Sequence, residues 1–284
     1  MIAVTGGSGF LGRHVLDSLR KKKTEHRALL RPEVNFKEPA SLEKAFQGTD
    51  QLLHMAAALN GSTEDLYEGN HLLMERVVEA AKHSGVKKII YVSSAAAYLK
   101  KGPYGQSKWQ AEEILKSSGL SFLIFRPTLI YGAGDTKNVD MMERLIRRSP
   151  VLPLLGGGGF LIQPVYVIDL AEVLMRALDS PITNKTYYLS GPSQISLKDM
   201  LNIIAESLGK KVVLIPIPLK PVQACVRLYS TVFPRTRLPV KQILELDQHS
   251  AFDIQDAKND FGFSPRNFRD GVRAMRKGEP LCVA

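Results

Sequence analysis

The chain has 284 residues, of which 44% are hydrophobic and 23% are charged, which is ordinary for a globular protein with a substantial core. The formal net charge of +10 comes from basic residues scattered over helix ends and faces, without interleaved aromatic residues, so we expect no nucleic-acid partner. No apolar run reaches the roughly 18 residues of a membrane span, and no apolar leader precedes the first strand, so we expect a cytoplasmic protein. Cys225 and Cys282 lack zinc or redox spacing, so we expect neither disulfides nor a metal.

Apolar runs typical of strands alternate with helical patterns as far as about residue 190. This alternation predicts an α/β fold with a doubly wound parallel sheet. The predicted strands are Ile2–Val4, Ala28–Leu30, Gln51–Met55, Lys88–Ser93, Ser121–Arg126, Val165–Val167 and Thr186–Leu189. The predicted helices include Leu42–Phe46, Leu72–His83, Tyr104–Ser117 and Leu170–Leu178.

The pattern changes after residue 190. We predict a helix near Leu197–Leu208, a strand at Val212–Ile215, an amphipathic segment at Val222–Phe233 and a final helix around Phe268–Arg276. Residues 1–190 are expected to form the larger domain, with residues 132–163 contributing to the smaller one. Residues 191–284 are expected to form a small α/β domain that stands over the strand ends and binds the substrate.

A glycine-rich turn follows the first predicted strand, with the sequence Thr5-Gly6-Gly7-Ser8-Gly9-Phe10-Leu11-Gly12. The apolar run before it and the amphipathic segment after it are the strand-turn-helix context of a dinucleotide-binding turn. Glycines permit a tight turn and the close approach of a pyrophosphate, and the following helix N-terminus offers free N–H groups to phosphates. We therefore predict a bound dinucleotide at this turn.

Other candidate residues follow the next four predicted strands, namely Arg31, Ala56-Ala57-Ala58, Ser93-Ser94 and Pro127-Thr128. In an open α/β sheet, ligands bind outside the carboxyl ends of the strands. These residues and the glycine-rich turn are therefore expected to lie on one rim of the sheet.

Tyr104 and Lys108 are four residues apart on a predicted helix, which places both side chains on one helix face. A free tyrosine is a poor base at neutral pH, and a neighbouring cation favours its phenolate form. Ser94, at the end of the adjacent strand, is placed to hold a substrate oxygen while Tyr104 exchanges its proton. The three residues predict general acid–base catalysis.

Several different short motifs follow one another along most of the chain. They are Thr5–Gly12, His54-Met55-Ala56-Ala57, Asn70 with Glu79-Ala80-Ala81, Tyr91–Ala95, Tyr104 with Lys108, Arg126-Pro127 with Tyr131-Gly132, and Pro164–Val167 with Asp169. In this order they resemble the extended short-chain dehydrogenase/reductase (SDR) family, and within it the nucleotide-sugar epimerase and dehydratase branch. The resemblance implies an NAD(P)-binding Rossmann fold and a small-molecule substrate, with a nucleotide sugar as the first candidate.

The resemblance also implies roles for individual residues. It implies hydride transfer to or from nicotinamide, with Tyr104 as the acid–base, Lys108 on the nicotinamide ribose and Ser94 on the substrate oxygen. His54 is expected to be structural, and Asn70 either ties its helix to the neighbouring strand or takes part in a water or proton relay. The expected cofactor-binding residues are Gly6, Ser8, Gly9, Phe10, Leu11, Gly12, Arg31, Asn35, Met55, Ala56, Ala57, Asn70, Tyr104, Lys108 and Pro127.

The chain departs from the family pattern in three places. Val34–Glu38 replaces a longer stretch that carries an aspartate near the adenine, so we expect Asn35 to take that role. Three alanines follow Ser94 where the 4,6-dehydratases have an Asp-Glu pair, so dehydration is not expected. Ile162-Gln163 stands where many sugar-nucleotide enzymes have Arg-Asp, which removes one nucleotide contact. Three other arginines either bind a diphosphate in place of that contact or form the polar face of a helix, namely Arg227, Arg235 and Arg237.

Arg31 follows the second predicted strand, where an acidic residue would accept the ribose hydroxyls of NAD. A cation there, with Arg13 nearby, suits the 2′-phosphate of NADP. We therefore predict NADP, with NAD as the second candidate if Arg31 only stacks on the adenine.

Three other interpretations remain open at this point. The protein could be a reductase of a non-nucleotide carbonyl, which would consume its cofactor, or a non-catalytic dinucleotide-binding accessory or assembly protein. The basic segment Val222–Arg237 could attach to a membrane surface, although its prolines favour an ordinary lid helix. Members of the SDR family often pair through the helix that carries the Tyr-Lys motif, which also implies a homodimer.

Overall fold

The computed structural model describes residues 1–100, 102–232 and 251–278, and the side chains of the second range up to residue 226. Four residues named above lie outside this part of the chain, namely Phe233, Arg235, Arg237 and Cys282. The side chain of Arg227 is also outside it.

Six parallel strands form the central sheet, in the order β10-β5-β4-β3-β1-β2. This arrangement confirms the predicted parallel sheet. The strands of the described chain are β1 (Ile2–Thr5), β2 (His26–Leu29), β3 (Gln51–His54), β4 (Lys88–Val92), β5 (Ser121–Pro127), β6 (Ile130–Tyr131), β7 (Val151–Leu155), β8 (Leu161–Ile162), β9 (Val165–Tyr166), β10 (Lys185–Leu189), β11 (Ile195–Ser196) and β12 (Val213–Ile217).

Helices cover both faces of the sheet. The described helices are α1 (Phe10–Lys21), α2 (Pro39–Phe46), α3 (Thr63–Leu66), α4 (Leu73–His83), α5 (Ala95–Leu99), α6 (Gly102–Ser117), α7 (Val139–Arg148), α8 (Val167–Leu178), α9 (Leu197–Ser207), α10 (Leu219–Val232), α11 (Gln255–Phe261) and α12 (Phe268–Arg276). Helices α1 and α8 pack together on one face, and α2, α4 and α6 form a second hydrophobic cluster on the other.

The inner strands of the sheet are largely apolar because both of its faces are covered. In β4, for example, Ile90 and Val92 belong to the cluster on one face, whereas Ile89 and Tyr91 belong to the cluster on the other. Successive side chains of a strand point to opposite faces, so a strand buried on both sides must be apolar at every position. This is why the sheet was recognisable from continuous apolar runs.

One predicted strand forms but lies outside the central sheet. Val165–Val167 does not join the central sheet: β9 pairs instead with β6, and Val167 already begins α8. The edge position beside β5 is taken by β10, at Lys185–Leu189. An apolar run identifies a buried strand but not the strand with which it pairs, which depends on distant residues.

The helix predicted at Leu72–His83 extends further towards the N-terminus in the structure. It begins with α3 and passes through a π-helical turn at Tyr67–Leu72 into α4. Ser62 caps it, since its side chain accepts a hydrogen bond from the Asp65 amide and Asp65 accepts one from the Ser62 amide. The sequence alone did not predict this first part because Gly69 and Asn70 weaken the helical pattern.

A smaller lobe joins segments from both sides of residue 190. Strand β7 pairs with β12, and β8 pairs with β11, while α7 and Phe268–Arg276 pack against α9. The proposed domain boundaries stay a prediction. Among the described residues, no helix has the length and apolar character needed to cross a membrane.

Candidate active site

A cavity of about 940 Å³ lies at the carboxyl ends of the central strands. Residues that follow β1, β2, β3, β4 and β5 all contribute to it, so the structure brings the predicted rim together. Most of the predicted site residues line this cavity, namely Gly6, Ser8, Gly9, Phe10, Leu11, Gly12, Arg31, Met55, Ala56, Ala57, Ser94, Tyr104, Lys108 and Pro127.

The glycine-rich turn has the shape that a dinucleotide pyrophosphate requires. Gly6 has φ +73°, and a Cβ atom there would lie 2.5 Å from the Ala56 amide nitrogen. A Cβ atom on Gly12 would lie 2.1 Å from the Gly6 carbonyl oxygen. Helix α1 starts after Gly9 with no side-chain cap and no acidic residue in its first turn. Its free N–H groups therefore face the cavity as an anion site, which fits a bound dinucleotide.

Ser94 and Tyr104 meet at the cavity wall. Ser94 caps α5, and its hydroxyl accepts a hydrogen bond from the Ala96 amide at 3.2 Å. Burial raises the pKa of the Tyr104 phenol above its usual 10, and a hydrogen bond with the Ser94 side chain acts in the opposite direction. The phenol is therefore protonated at neutral pH and can serve as a proton donor.

Lys108 is completely buried, with 1% of its surface exposed. Its ammonium donates a hydrogen bond to the Val92 carbonyl oxygen at 3.0 Å and lies 4.3 Å from the centre of the Tyr91 ring. Burial lowers the Lys108 pKa to about 7, and the charge of Glu112 only partly opposes this.

The direction of the Tyr104 pKa shift is set by burial and not by Lys108. The sequence predicted that the cation would favour the phenolate and thus lower the Tyr104 pKa, but burial raises that pKa. The physical reason is that desolvation penalises the charged form of both groups. The pattern of spacing places the two side chains on one helix face but contains no information about how deeply each is buried.

Glu112 is a buried carboxylate that the sequence analysis missed. It lies one helical turn after Lys108, is 0% exposed, and accepts hydrogen bonds from Ser93 Oγ at 2.5 Å and Arg126 Nε at 3.0 Å. Tyr104, Lys108 and Glu112 are spaced four residues apart on α6, and this repeat was the signal that could have revealed it. Glu112 thus connects the helix that carries Lys108 to the ends of β4 and β5.

Two predicted cofactor-binding residues do not line the cavity. Asn35 is exposed and bonds locally, accepting from the Lys37 amide at 3.1 Å, while the neighbouring Phe36 forms the cavity wall. Asn70 is buried, and its amide donates to the Ala58 carbonyl at 2.9 Å and to Ser107 Oγ at 3.1 Å. Its oxygen also accepts from the Ala58 amide, so Asn70 positions the loop that lines the cavity.

His54 is also enclosed rather than placed in the cavity. It is 1% exposed, its Nδ1 atom lies 2.7 Å from Thr5 Oγ1, and its ring stacks on Tyr91. Burial lowers the His54 pKa to about 3, so the imidazole is neutral at physiological pH. These contacts give it a role in packing β1 against β3 and β4.

A loop after β6 forms another wall that the sequence did not reveal. Residues 134–138 line the cavity, and the loop is held to α1 by His14 Nε2, 2.9 Å from the Ala133 oxygen, and by Arg13, which donates to the Gly134 oxygen at 3.3 Å. Asp135 organises the loop by accepting hydrogen bonds from the backbone amides of Lys137, Asn138 and Val139. The loop has no periodic pattern, so only its tertiary contacts identify it.

Comparison with known proteins agrees with this geometry. The model of the NAD-dependent epimerase/dehydratase family matches residues 2–189, about two thirds of the chain. The chain belongs to this family. It is accordingly an NAD(P)-dependent enzyme of the epimerase and oxidoreductase kind.

Relatives in the epimerase/dehydratase family carry out different reactions. The 4-hydroxy-2-methyl-3-oxo-4-farnesyl-3,4-dihydroquinoline-1-oxide ketoreductase of Stigmatella aurantiaca is 25% identical, covering 98% of this chain and 96% of its own. The UDP-glucose 4-epimerase of Vibrio cholerae is 24% identical, covering 93% and 90%. Among solved structures, UDP-N-acetylglucosamine 4-epimerase from Bacillus cereus superposes with a TM-score of 0.78 at 20% identity, covering 99% of both chains.

Two local features concern the positions where the sequence departs from the expected family pattern. Gln163 uses its side chain to hold the backbone, since Nε2 donates to the Gly191 oxygen at 2.9 Å and Oε1 accepts from the Phe252 amide at 3.0 Å. Ser94 is followed by Ala95 and Ala97, both buried, so no carboxylate stands there for elimination chemistry. The side-chain amide of Gln163 therefore bonds to the backbone of two other segments.

Proposed function

We propose that the protein is an NADP-dependent reductase of a ketone or a similar carbonyl on a substrate that is not a nucleotide sugar. The observation that supports this proposal is the protonated, buried phenol of Tyr104 beside Ser94 at the rim of a dinucleotide-shaped cavity. Carbonyl reduction needs a proton donor at the substrate oxygen, and a phenol with a raised pKa is in the donor form at neutral pH.

Each residue of the site has one task in this reaction. Ser94 donates a hydrogen bond to the carbonyl oxygen, and Tyr104 transfers its proton to that oxygen as the carbon is reduced. When bound, the nicotinamide supplies the hydride. The ammonium of Lys108, fixed by the Val92 carbonyl, stabilises the phenolate that Tyr104 leaves behind. The product is an alcohol, and water returns the proton to Tyr104.

Gln163 and the relatives both bear on the substrate class. The Gln163 amide is bonded to the backbone of two other segments, so it offers no contact to a nucleotide diphosphate. The ketoreductase relative matches this chain over nearly its whole length. Both observations favour a carbonyl compound without a nucleotide.

Epimerisation of a nucleotide sugar is the second candidate. It is favoured by the match to a UDP-glucose 4-epimerase over 93% of the chain. The same Ser94, Tyr104 and Lys108 would serve it, because an epimerase performs the oxidation and the reduction in succession on one bound cofactor.

Cofactor stoichiometry distinguishes the two candidates. For a reductase, we expect one NADPH to be oxidised for each carbonyl reduced, as followed by nicotinamide absorbance with a panel of apolar and polar ketones. The matched assay uses UDP-glucose and UDP-N-acetylglucosamine, with sugar products analysed by chromatography. Interconversion of a sugar nucleotide without net loss of NADPH would reject the reductase and establish the epimerase.

Arg31 is proposed to select NADP. Arg31 lines the cavity near the end of β2, where a 2′-phosphate would be placed. Because charge-assisted hydrogen bonds contribute about 1.5–3 kcal/mol, Arg31→Ala should weaken NADPH binding about 10- to 100-fold and change NADH binding much less. Titration of both cofactors, followed by fluorescence, measures the two affinities.

The matched control is Arg20→Ala, which removes an exposed arginine near the other end of α1. It should leave both affinities unchanged. An equal loss of NADPH and NADH affinity in Arg31→Ala would mean that Arg31 stacks on the adenine and does not bind the 2′-phosphate.

A further inference from the structure

The smaller lobe exposes the first part of one face of a two-stranded sheet. Strands β7 and β12 are parallel, with Val151 opposite Val213 and Pro153 opposite Ile215. Of the aliphatic side chains on this face, Val151 is 42% exposed, Val213 59% and Ile215 50%. We call these four residues the β7–β12 face.

The opposite side is buried on β7 and half-buried at Leu214 of β12, whereas Pro216 on that side is exposed. Leu152 and Leu154 are 8% and 3% exposed and belong to the main hydrophobic core, and Leu214 packs against it. A strand with one covered side is expected to be polar on its other side, because exposed apolar surface gains nothing in water. Branched aliphatic side chains on the outer side of both strands are therefore a feature that folding does not explain, and contiguous apolar surface of this kind marks interaction sites.

Basic residues gather at one end of the β7–β12 face. Arg147 and Arg148 are the last residues of α7, and two residues separate them from β7. Lys210 and Lys211 are separated from β12 by a single residue. Because the strands are parallel, both starting points lie at the same end. The Lys210 ammonium confirms this proximity by donating a hydrogen bond to the Arg147 carbonyl oxygen at 3.0 Å. All four side chains are on exposed residues.

The charge of the surrounding segments is strongly unbalanced. Residues 139–155 and 209–221 contain six basic and two acidic residues. Of the two acids, Asp140 is paired with Arg144 on the same helix, and Glu143 is buried and paired with Arg276. The acids are thus already neutralised, and the surface beside the apolar face is positive. Two further apolar side chains are exposed on α7, namely Met141 at 52% and Leu145 at 45%.

We propose that the β7–β12 face docks on the surface of an anionic lipid bilayer. Peripheral binding of this kind combines shallow burial of aliphatic side chains with attraction between basic residues and anionic headgroups. Val151, Val213 and Ile215 supply the first component, and the basic end of the face supplies the second.

Composition favours a lipid surface over a protein partner. The binding energy of protein interfaces is concentrated in buried Trp, Tyr and Arg side chains. The β7–β12 face contains only Val, Ile and Pro, and its cations stand at the edge. The loop 134–138 lines the active-site cavity and ends at Asn138, the residue before α7. Docking at the β7–β12 face would therefore bring a bilayer close to the segment that continues from this loop. The docking proposal does not depend on the reaction that the cavity catalyses.

Vesicle flotation of the full chain tests the proposal directly. The protein is incubated with vesicles of phosphatidylcholine alone or of phosphatidylcholine mixed with phosphatidylglycerol. We expect binding to the anionic vesicles, little binding to the neutral ones, and release by high salt. The double variant Val213→Ser, Ile215→Ser should lower the partition coefficient about tenfold, and so should Arg148→Gln with Lys211→Gln.

Matched controls separate docking from loss of folding and from overall charge. Lys22→Gln with Lys82→Gln removes two exposed charges from the larger lobe and should leave vesicle binding within about twofold of the unmodified chain, since neither residue adjoins the face. Melting temperatures of all variants should agree, because every substituted side chain is exposed. Size-exclusion chromatography with light scattering detects the competing outcome, a second copy of the chain on this face.

Three results would overturn the proposal. Absence of binding to anionic vesicles would exclude the lipid surface. Equal loss of binding in the control and the Arg148 and Lys211 variant would mean that net charge alone drives binding. A dimer that becomes monomeric in Val213→Ser, Ile215→Ser would assign the face to contact between subunits.

Discussion

Replacing Tyr104 with Phe is expected to lower kcat about 10²- to 10⁴-fold, the usual contribution of a positioned general acid. The substitution removes only the phenolic oxygen, whose proton the reaction requires. Affinity for NADPH should change by less than about threefold, because the aromatic ring that lines the cavity is retained. Steady-state kinetics and a separate cofactor titration therefore distinguish lost proton transfer from lost binding.

The matched control for this experiment is Tyr98→Phe. Tyr98 lies on α5, is 60% exposed, and packs edge-to-face on Tyr188 outside the cavity. Loss of its hydroxyl should leave kcat and cofactor affinity unchanged. If Tyr104→Phe retained more than about one tenth of the original kcat, Tyr104 would not be the proton donor, and Ser94 or a water molecule would have to take that role.

The sequence was informative wherever the relevant contacts are local or periodic. Strand β4 was recognisable because burial on both faces requires an uninterrupted apolar run. The glycine-rich turn was recognisable because a side chain at Gly12 would collide with the Gly6 carbonyl only six residues away. Tyr104 and Lys108 were placed on one face of α6 by spacing alone.

The sequence failed where a residue's role depends on distant partners. The strand at Val165–Tyr166 was predicted as a strand but without a neighbour, because pairing with β6 rather than with the central sheet is a tertiary property. Asn70 was predicted either to tie its helix to the neighbouring strand or to serve the cofactor site, and its partners Ala58 and Ser107, the second 37 residues away, were not predicted. Gln163 had no assigned partner at all, although it joins Gly191 and Phe252.

Electrostatics was the least predictable property of the site. Proximity of the amine suggested stabilisation of the Tyr104 phenolate, whereas burial disfavours the charged form of both Tyr104 and Lys108. Depth of burial depends on every element packed around α6, including β4 and the segment that supplies Arg126. A spacing rule therefore finds the pair but not its protonation state.

The buried amine of Lys108 should cost the protein stability. Lys108→Met is expected to increase the free energy of unfolding near pH 7 by about 2 kcal/mol or more while abolishing most of the catalytic activity. The side chain is 1% exposed, with one hydrogen bond, to Val92, and a methionine of similar length fills the same volume without a charge to desolvate. Urea unfolding without cofactor measures the gain.

The gain should depend on pH in a defined direction. The Lys108 pKa is about 7 in the folded protein and near its usual 10.5 in the unfolded chain. Between these values the unfolded chain holds more protons, so the stability of the unmodified protein rises with pH by up to about 1.4 kcal/mol per unit relative to the variant. The advantage of Lys108→Met is therefore largest at and below pH 7 and decreases towards pH 10.5.

Lys116→Met is the matched control, since Lys116 lies two turns further along the same helix and its side chain is 35% exposed. It should show neither the stability gain nor its pH dependence. If Lys108→Met and Lys116→Met had the same stability profile between about pH 7 and pH 10, the amine of Lys108 would be solvated in solution. Its task in the site would then be carried out by a fully charged ammonium, and the stability cost argued from its burial would not exist.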